Sequence, residues 1–154
     1  MKTYAFLLKL RDKPGAMEVI AATFAHRGIS LATILANDAA TAPDSLATVL
    51  VTFRTTRSRK DGVKAALARL TRVVSITERE EGDPTLQQSA LVRLAPGAAL
   101  PTDPQVQLTR LGVDAATGET LWALFGPLLA VEVSVEVLRA SGSLSALSIA
   151  TVAL

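Results

Sequence analysis

Leu10-Arg11-Asp12-Lys13-Pro14-Gly15-Ala16-Met17 is a short polar stretch between two apolar segments. Upstream, residues 3–10 alternate. Tyr4, Phe6, Leu8 and Leu10 fall on one side and Thr3, Ala5, Leu7 and Lys9 on the other, the pattern of a strand. Downstream, Met17, Ile20, Ala21 and Phe24 recur at i, i+3, i+4 and i+7, the spacing of one buried helical face. The stretch therefore reads as a strand-to-helix loop. Asp12 is placed to cap the helix, and Pro14 to sit in its first turn, where no donor is needed. Arg27-Gly28 ends the helix: a cation in the last turn, then a glycine free to take positive φ. Such a loop brings a helix N-terminus to the edge of a sheet. That suits capture of a small anion, with no catalytic side chain required.

Working outward, Ile29 to Leu35 reads as a second strand, residues 37–44 with Pro43 as a connection, and Leu46 to Phe53 as a third strand. Ser58 is placed to cap a second helix whose inner face carries Val63, Ala66, Leu67 and Leu70. Val73 to Thr77 follows as a fourth strand. The order β-α-β-β-α-β within residues 1–80 predicts an α+β, ferredoxin-like domain: a four-stranded antiparallel sheet with both helices on one face.

The chain has 154 residues, 49% apolar and 19% charged, enough apolar material for a core. Aromatics are 4%, which predicts a core of Val, Leu, Ile and Ala. Residues 1–80 carry 13 Lys/Arg against 7 Asp/Glu, and residues 81–154 carry 3 against 7. The sign change falls at Glu78-Arg79-Glu80-Glu81-Gly82-Asp83-Pro84, read as a boundary before a second, divergent α+β domain at 81–154. In that half Ala90–Leu94 and Val106–Leu111 read as strands, and Pro96 to Pro104, with three prolines, as loop. Thr117–Leu129 has helical spacing, Val131 to Val137 alternate like a strand, and residues 140–143 form a turn. Leu144–Leu154 stays open between strand and helix, and no repeat between the halves is evident.

The absence of cysteine removes disulfides, thiolate zinc sites and thiol nucleophiles. No run of about 18 apolar residues predicts a membrane span. The first residues do not read as a secretory signal, so a cytoplasmic location is expected. No phosphate loop, dinucleotide fingerprint, metal-ligand spacing or nucleophile triad is present, so no catalytic residue, metal or cofactor is expected. His26, the only histidine, stands near a helix end without acidic or cysteine neighbours and reads as a surface residue. Arg54, Arg57, Arg59 and Lys60 lack interleaved aromatics and read as a solvated connection rather than a nucleic-acid surface. Trp122 and Phe125, three apart, read as core, and the pairs Glu80/Glu81 and Glu132/Glu136 as solvent-facing charge.

The strand, Asp12-x-Pro14-Gly15, and a helix ending Phe24-x-x-Arg27-Gly28-Ile29-Ser30-Leu31 resemble an ACT domain. More closely they resemble the regulatory small-subunit family of acetolactate synthase. The likeness continues through Pro43-Asp44-Ser45-Leu46-Ala47-Thr48-Val49, the segment Leu67 to Ile76, Glu80-Glu81-Gly82-Asp83 and Ala90-Leu91-Val92-Arg93-Leu94. The resemblance implies a non-catalytic subunit that forms a homodimer through side-by-side ACT sheets. It also implies a small amino-acid effector, valine in that family, and docking on a thiamine-diphosphate-dependent catalytic subunit of branched-chain amino-acid biosynthesis. The implied effector site takes Asp12, Lys13, Pro14, Gly15 and Ala16 from one chain and Ser30 and Leu31 from the other. The family usually has Asn at the positions of Asp12 and Ser30. An ionised Asp only accepts hydrogen bonds, and Ser reaches less far. The alternative is therefore a stand-alone ACT-type amino-acid sensor with another ligand and partner.

Overall fold

Ten residues, Lys2–Arg11, form strand β1, which pairs antiparallel with β3 (Leu46–Thr55) on one side and β4 (Val73–Glu80) on the other. With β2 (Leu31–Asn37) outside β3, the sheet order is β2-β3-β1-β4. Helices α1 (Ala16–Ala25) and α2 (Arg57–Leu67) supply the crossovers. This is the expected βαββαβ arrangement. The computed structural model describes residues 1–11, 14–37 and 46–153 and divides into two units, Met1–Asp83 and Pro84–Leu154.

The even residues of β1 (Tyr4, Phe6, Leu8, Leu10) meet Val49, Val51 and Phe53 of β3 under Ile20 and Phe24 of α1 and Val63 and Leu67 of α2. Both helices therefore cover one face, as their apolar stripes require. The aliphatic core expected from composition is corrected here. Phe6, Phe24 and Phe53 pack together, with Phe53 at 4.9 Å centroid separation from each of the others. Three of the four phenylalanines are thus spent in one unit. A buried Phe contributes about 1.5–3 kcal/mol, so concentrating them stabilises a small core disproportionately.

The ends of the elements differ from the sequence reading for local reasons. The N-cap of α1 is Gly15, with φ +81° and no side-chain cap, so Pro14 precedes the helix; Asp12, expected as the cap, lies outside the described residues. After α1, Gly28 takes φ +61°, its N–H bonds the Ala25 carbonyl, and the Ile29 N–H bonds the Phe24 carbonyl at 3.1 Å. This closure folds buried Ile29 onto the helix end, so β2 starts at Leu31 and not at Ile29. Thr56, extended at φ −84°, is the N-cap of α2, which puts Ser58 inside the helix. The connection expected at 37–44 lies, beyond Asn37, outside the described residues.

The second unit contains β5 (Leu86–Leu94), β6 (Gln107–Val113), β7 (Thr120–Pro127), α3 (Leu128–Ala140) and β8 (Leu144–Ala153). Its sheet order is β6-β7-β5-β8. Strand for strand this repeats the first sheet, with β5, β6, β7 and β8 standing where β1, β2, β3 and β4 stand. Only the first helix is missing. The proline-bearing connection 95–106 takes its place and sends Ala98, Leu100 and Val106 into the core. Prolines at 96, 101 and 104 leave no helical run long enough for α1's counterpart. The repeat is topological and has no obvious trace in the residues.

Two sequence expectations are overturned here. The segment Thr117–Leu129, read as helix, holds strand β7, and Val131–Val137, read as a strand, lies inside helix α3. Val131 and Val135 are buried with Leu128 and Leu138, while Leu129, Val133 and Val137 are 42%, 59% and 55% exposed. A helix apolar on both its inner and outer faces places valine at every second position and so imitates a strand. The β7 register is set by a tight hairpin. Asp114 Oδ1 accepts the N–H groups of Ala116 and Thr117, which hold its carboxyl below the usual range, and Gly118 takes φ +71°. Trp122 and Phe125, three apart on a strand, face opposite ways: Trp122 packs on the core, and Phe125 is 43% exposed.

Candidate functional site

Antiparallel pairing sets Leu10 opposite Val73, so the β1–α1 loop and the α2–β4 turn meet at one end of the first sheet. One residue of that turn holds both flanks of the loop. The Arg11 N–H donates to the Arg72 carbonyl at 2.9 Å, and Arg72 Nη1 donates to the Pro14 carbonyl at 2.8 Å. Between these two anchors lie Asp12 and Lys13, which fall outside the described residues.

Gly15 occupies the left-handed region, where L side chains are strained. A Cβ built there would stand 3.5 Å from Arg72 Nη1 and 4.0 Å from Glu18 Oε2. Both are ordinary contact distances, so it is the backbone conformation and not crowding that calls for glycine at the start of α1. Beside it opens a cavity of about 200 Å³ walled by Leu10, Val19, Ile20, Leu70 and Val73, with Ala16 and Arg72 also in its lining. Drug-sized ligands occupy about 300–1,000 Å³, so this space suits a smaller molecule with an aliphatic part.

Of the expected site residues, Pro14, Gly15 and Ala16 are brought together at this end. Ser30 and Leu31 are not. Leu31 pairs with Phe53, which faces Tyr4, whereas the loop leaves β1 at Arg11, seven residues further on. At about 3.3 Å per residue the separation along the strand is roughly 23 Å. Ser30 is exposed and precedes β2, and Leu31 packs against the core. The sequence reading did not single out the turn Leu70, Thr71, Arg72 and Val73, which stands against the loop here. Their signal was available: once β4 neighbours β1, the turn entering β4 must lie against the loop leaving β1.

The basic stretch divides. Arg57 and Arg59 are exposed on α2, and Arg54 donates to Thr3 Oγ1 at 3.2 Å. Lys60, expected in solvent, is buried at 5% exposure. Its Nζ contacts Glu78 Oε1, stands 2.9 Å from Asp61 Oδ1 and lies 5.3 Å from the Tyr4 ring centroid. The hydrogen bonds to Glu78 and then Asp61 raise the Lys60 pKa against the opposing effect of burial. For Glu78, burial pushes the pKa up, but hydrogen bonds from Lys60 and from Lys64, at 2.9 Å, outweigh it and leave it lowered. This is a structural ion cluster locking α2 to β4. His26 is exposed at the end of α1. Glu81 Oε2 accepts the Thr3 N–H at 2.8 Å, so it is a tether and not a free surface charge. Among the described residues no group of three His, Asp or Glu side chains is placed to hold a metal, and no helix is long and apolar enough to cross a membrane.

The fold is a pair of tandem ferredoxin-like α+β units, with a small loop-and-helix crevice in the first. The acetolactate synthase small subunit of Thermotoga maritima is similar over 100% of this chain and 98% of that one, with TM-score 0.65 and 16% identity. The ligand-free regulatory subunit of aspartate kinase from Thermus thermophilus is similar over 90% and 91%, with TM-score 0.47 and 14% identity. At 16% identity the likeness to the Thermotoga structure establishes the fold. No family model and no curated protein matches the sequence.

Proposed function

We propose that this chain is a non-catalytic regulatory subunit that binds a small aliphatic amino acid in the crevice beside α1. Its partner, on this reading, is a thiamine-diphosphate-dependent acetolactate synthase catalytic subunit. The observation that carries the reading is the apolar cavity of about 200 Å³ that opens beside a left-handed glycine at the start of a helix, with a cation in its lining. The full-length likeness to the Thermotoga small subunit supports it. The 23 Å between the loop and Ser30 adds a requirement. The site implied by the resemblance forms only if a second copy brings its own Ser30 and Leu31 to the loop, so the effector acts through a homodimer. Binding then favours one dimer arrangement, and a catalytic partner senses the shift. Such coupling is typically about 1–3 kcal/mol.

The test has two arms. Thermal unfolding against the twenty amino acids is expected to show stabilisation by aliphatic ones, about 2.7 kcal/mol at 100 times the dissociation constant. Mixing with the acetolactate synthase catalytic subunit from the same source is expected to make acetolactate formation respond to that amino acid. Stabilisation without any response favours the stand-alone sensor, which Ser30 in place of the family's Asn also favours. No stabilisation by any amino acid overturns both.

A further inference from the structure

We propose that the free edge of β8 is an interaction surface whose partner is the β8 of a second copy. The two strands pair antiparallel about a two-fold axis, so that two second units share one continuous sheet. This surface lies in the second unit and does not depend on any ligand in the first.

β8 ends the order β6-β7-β5-β8, with β5 on one side and no strand on the other. Among the described residues its backbone forms no backbone hydrogen bond outside the β5 ladder. In an antiparallel ladder alternate residues turn their N–H and C=O groups away from the neighbour. From Ala146 to Ala153 the register against β5 is unbroken, so this row of free groups runs for about 27 Å at about 3.4 Å per residue. Proteins ordinarily blunt such an edge with charge, proline or a bulge. The other edges of this chain are treated in that way or are short. β4, the corresponding edge of the first sheet, carries Glu78, Arg79 and Glu80, and Glu78 is held by Lys60 and Lys64. β6 carries Arg110 and shifts register between Arg110 and Gly112. β2 is uncharged but has seven residues and shifts register between Leu31 and Thr33. β8 has ten residues and no charge, proline or glycine.

A second copy fits this edge because two-fold pairing sets a strand against its own sequence reversed. Charges near the axis would then meet their own kind, and β8 has none to repel. The register that keeps both α3 helices on one face sets core-side residues opposite core-side residues. Leu147 and Ile149 pack on the core but stay only partly buried, and their counterparts supply the missing cover. Ala146, Ser148 and Ala150 on the other face are small and exposed, so nothing obstructs the approach. Pairing over Ala146–Ala153 forms about eight main-chain hydrogen bonds, within the about 5–15 of a typical interface.

The chain has no cysteine, so single introduced thiols report proximity between copies. Ala146→Cys, Ser148→Cys and Ala150→Cys, made one at a time in the full chain, are compared under mild oxidation with Thr109→Cys on β6. A disulfide-linked dimer is expected from at least one β8 variant and none from Thr109→Cys. Amide exchange gives an independent readout. Ser148→Lys and Ser148→Glu are each expected to lose protection of the β8 amides, and an equal mixture of the two to recover it. Trp122 fluorescence checks that each variant stays folded. No covalent dimer from any β8 variant, equal cross-linking by Thr109→Cys, or no recovery in the mixture overturns the pairing. Protection of β8 that appears only when a catalytic subunit is added assigns the edge to that partner and overturns it too.

Discussion

Replacing Glu78 with Gln removes the carboxylate that Lys60 and Lys64 share, and the structure sets the cost. Lys60 is 5% exposed, so its ammonium cannot turn to solvent without moving α2. Losing one partner of a buried ion pair typically costs about 3–5 kcal/mol. Here Lys60 keeps Asp61 at 2.9 Å and the Tyr4 ring, and the Glu78 side chain is 21% exposed. We therefore expect about 2–3 kcal/mol for Glu78→Gln. The double variant Lys60→Met, Glu78→Leu removes both buried charges at similar volume and is expected to cost less than 1 kcal/mol, because no desolvated charge is orphaned. Urea unfolding followed separately at Tyr4 and Trp122 reads this directly, since the single tyrosine lies in the first unit and the single tryptophan in the second. The pH dependence follows from the signs. The lowered Glu78 pKa makes its contribution complete above the unfolded carboxylate value of about 4.3, and it is lost as pH falls through the folded value. The raised Lys60 pKa makes its contribution complete below about 10.4, and it is lost as pH rises through the folded value. In Glu78→Gln the acid-side loss is expected to shrink. A double variant as costly as Glu78→Gln, or an unchanged acid limb, would refute a desolvated cluster.

Gly126→Ala places a Cβ 2.5 Å from the Gln105 carbonyl oxygen, a backbone atom with nowhere to go, so destabilisation of about 1–3 kcal/mol is expected from chemical denaturation. Val131→Ala removes two buried methyl-sized groups at about 0.8 kcal/mol each and is expected to cost about 1.6 kcal/mol or more, while Val133→Ala stays within about 0.5 kcal/mol. Equal costs would restore the strand reading of that segment. Gly15→Ala forces a side chain into the left-handed region at roughly 1–2 kcal/mol and disturbs the start of α1 beside the cavity. Thermal shift is expected to show response to L-valine abolished, while sedimentation shows the same oligomer as wild type.

In the first unit, period-2 alternation and one-sided helical stripes coincided with local geometry, so residues 1–80 disclosed their topology unaided. Phe24 and Gly28 did so because a helix end is settled by near neighbours, whereas Ile29, read as the start of β2, folds onto that helix end instead. The second unit was misread where neighbours are uninformative. Val131 to Val137 alternate because α3 is apolar on two faces, and only the β7–β8 crossover says which valines go inward. Leu121, Leu124 and Phe125 keep helical spacing, yet the Asp114–Gly118 hairpin commits them to a ladder with β6. The same division runs through the crevice. Pro14, Gly15 and Ala16 were legible because the loop and helix start are contiguous in the chain. Arg72, 57 positions beyond Gly15, joins it only when β4 pairs with β1, and Lys60 leaves the surface only when α2 docks beside Glu78. Periodicity is a local signal and determined the elements. Which charges stand over which backbone is a property of strand pairing across long sequence separations, and only the folded sheet decided it.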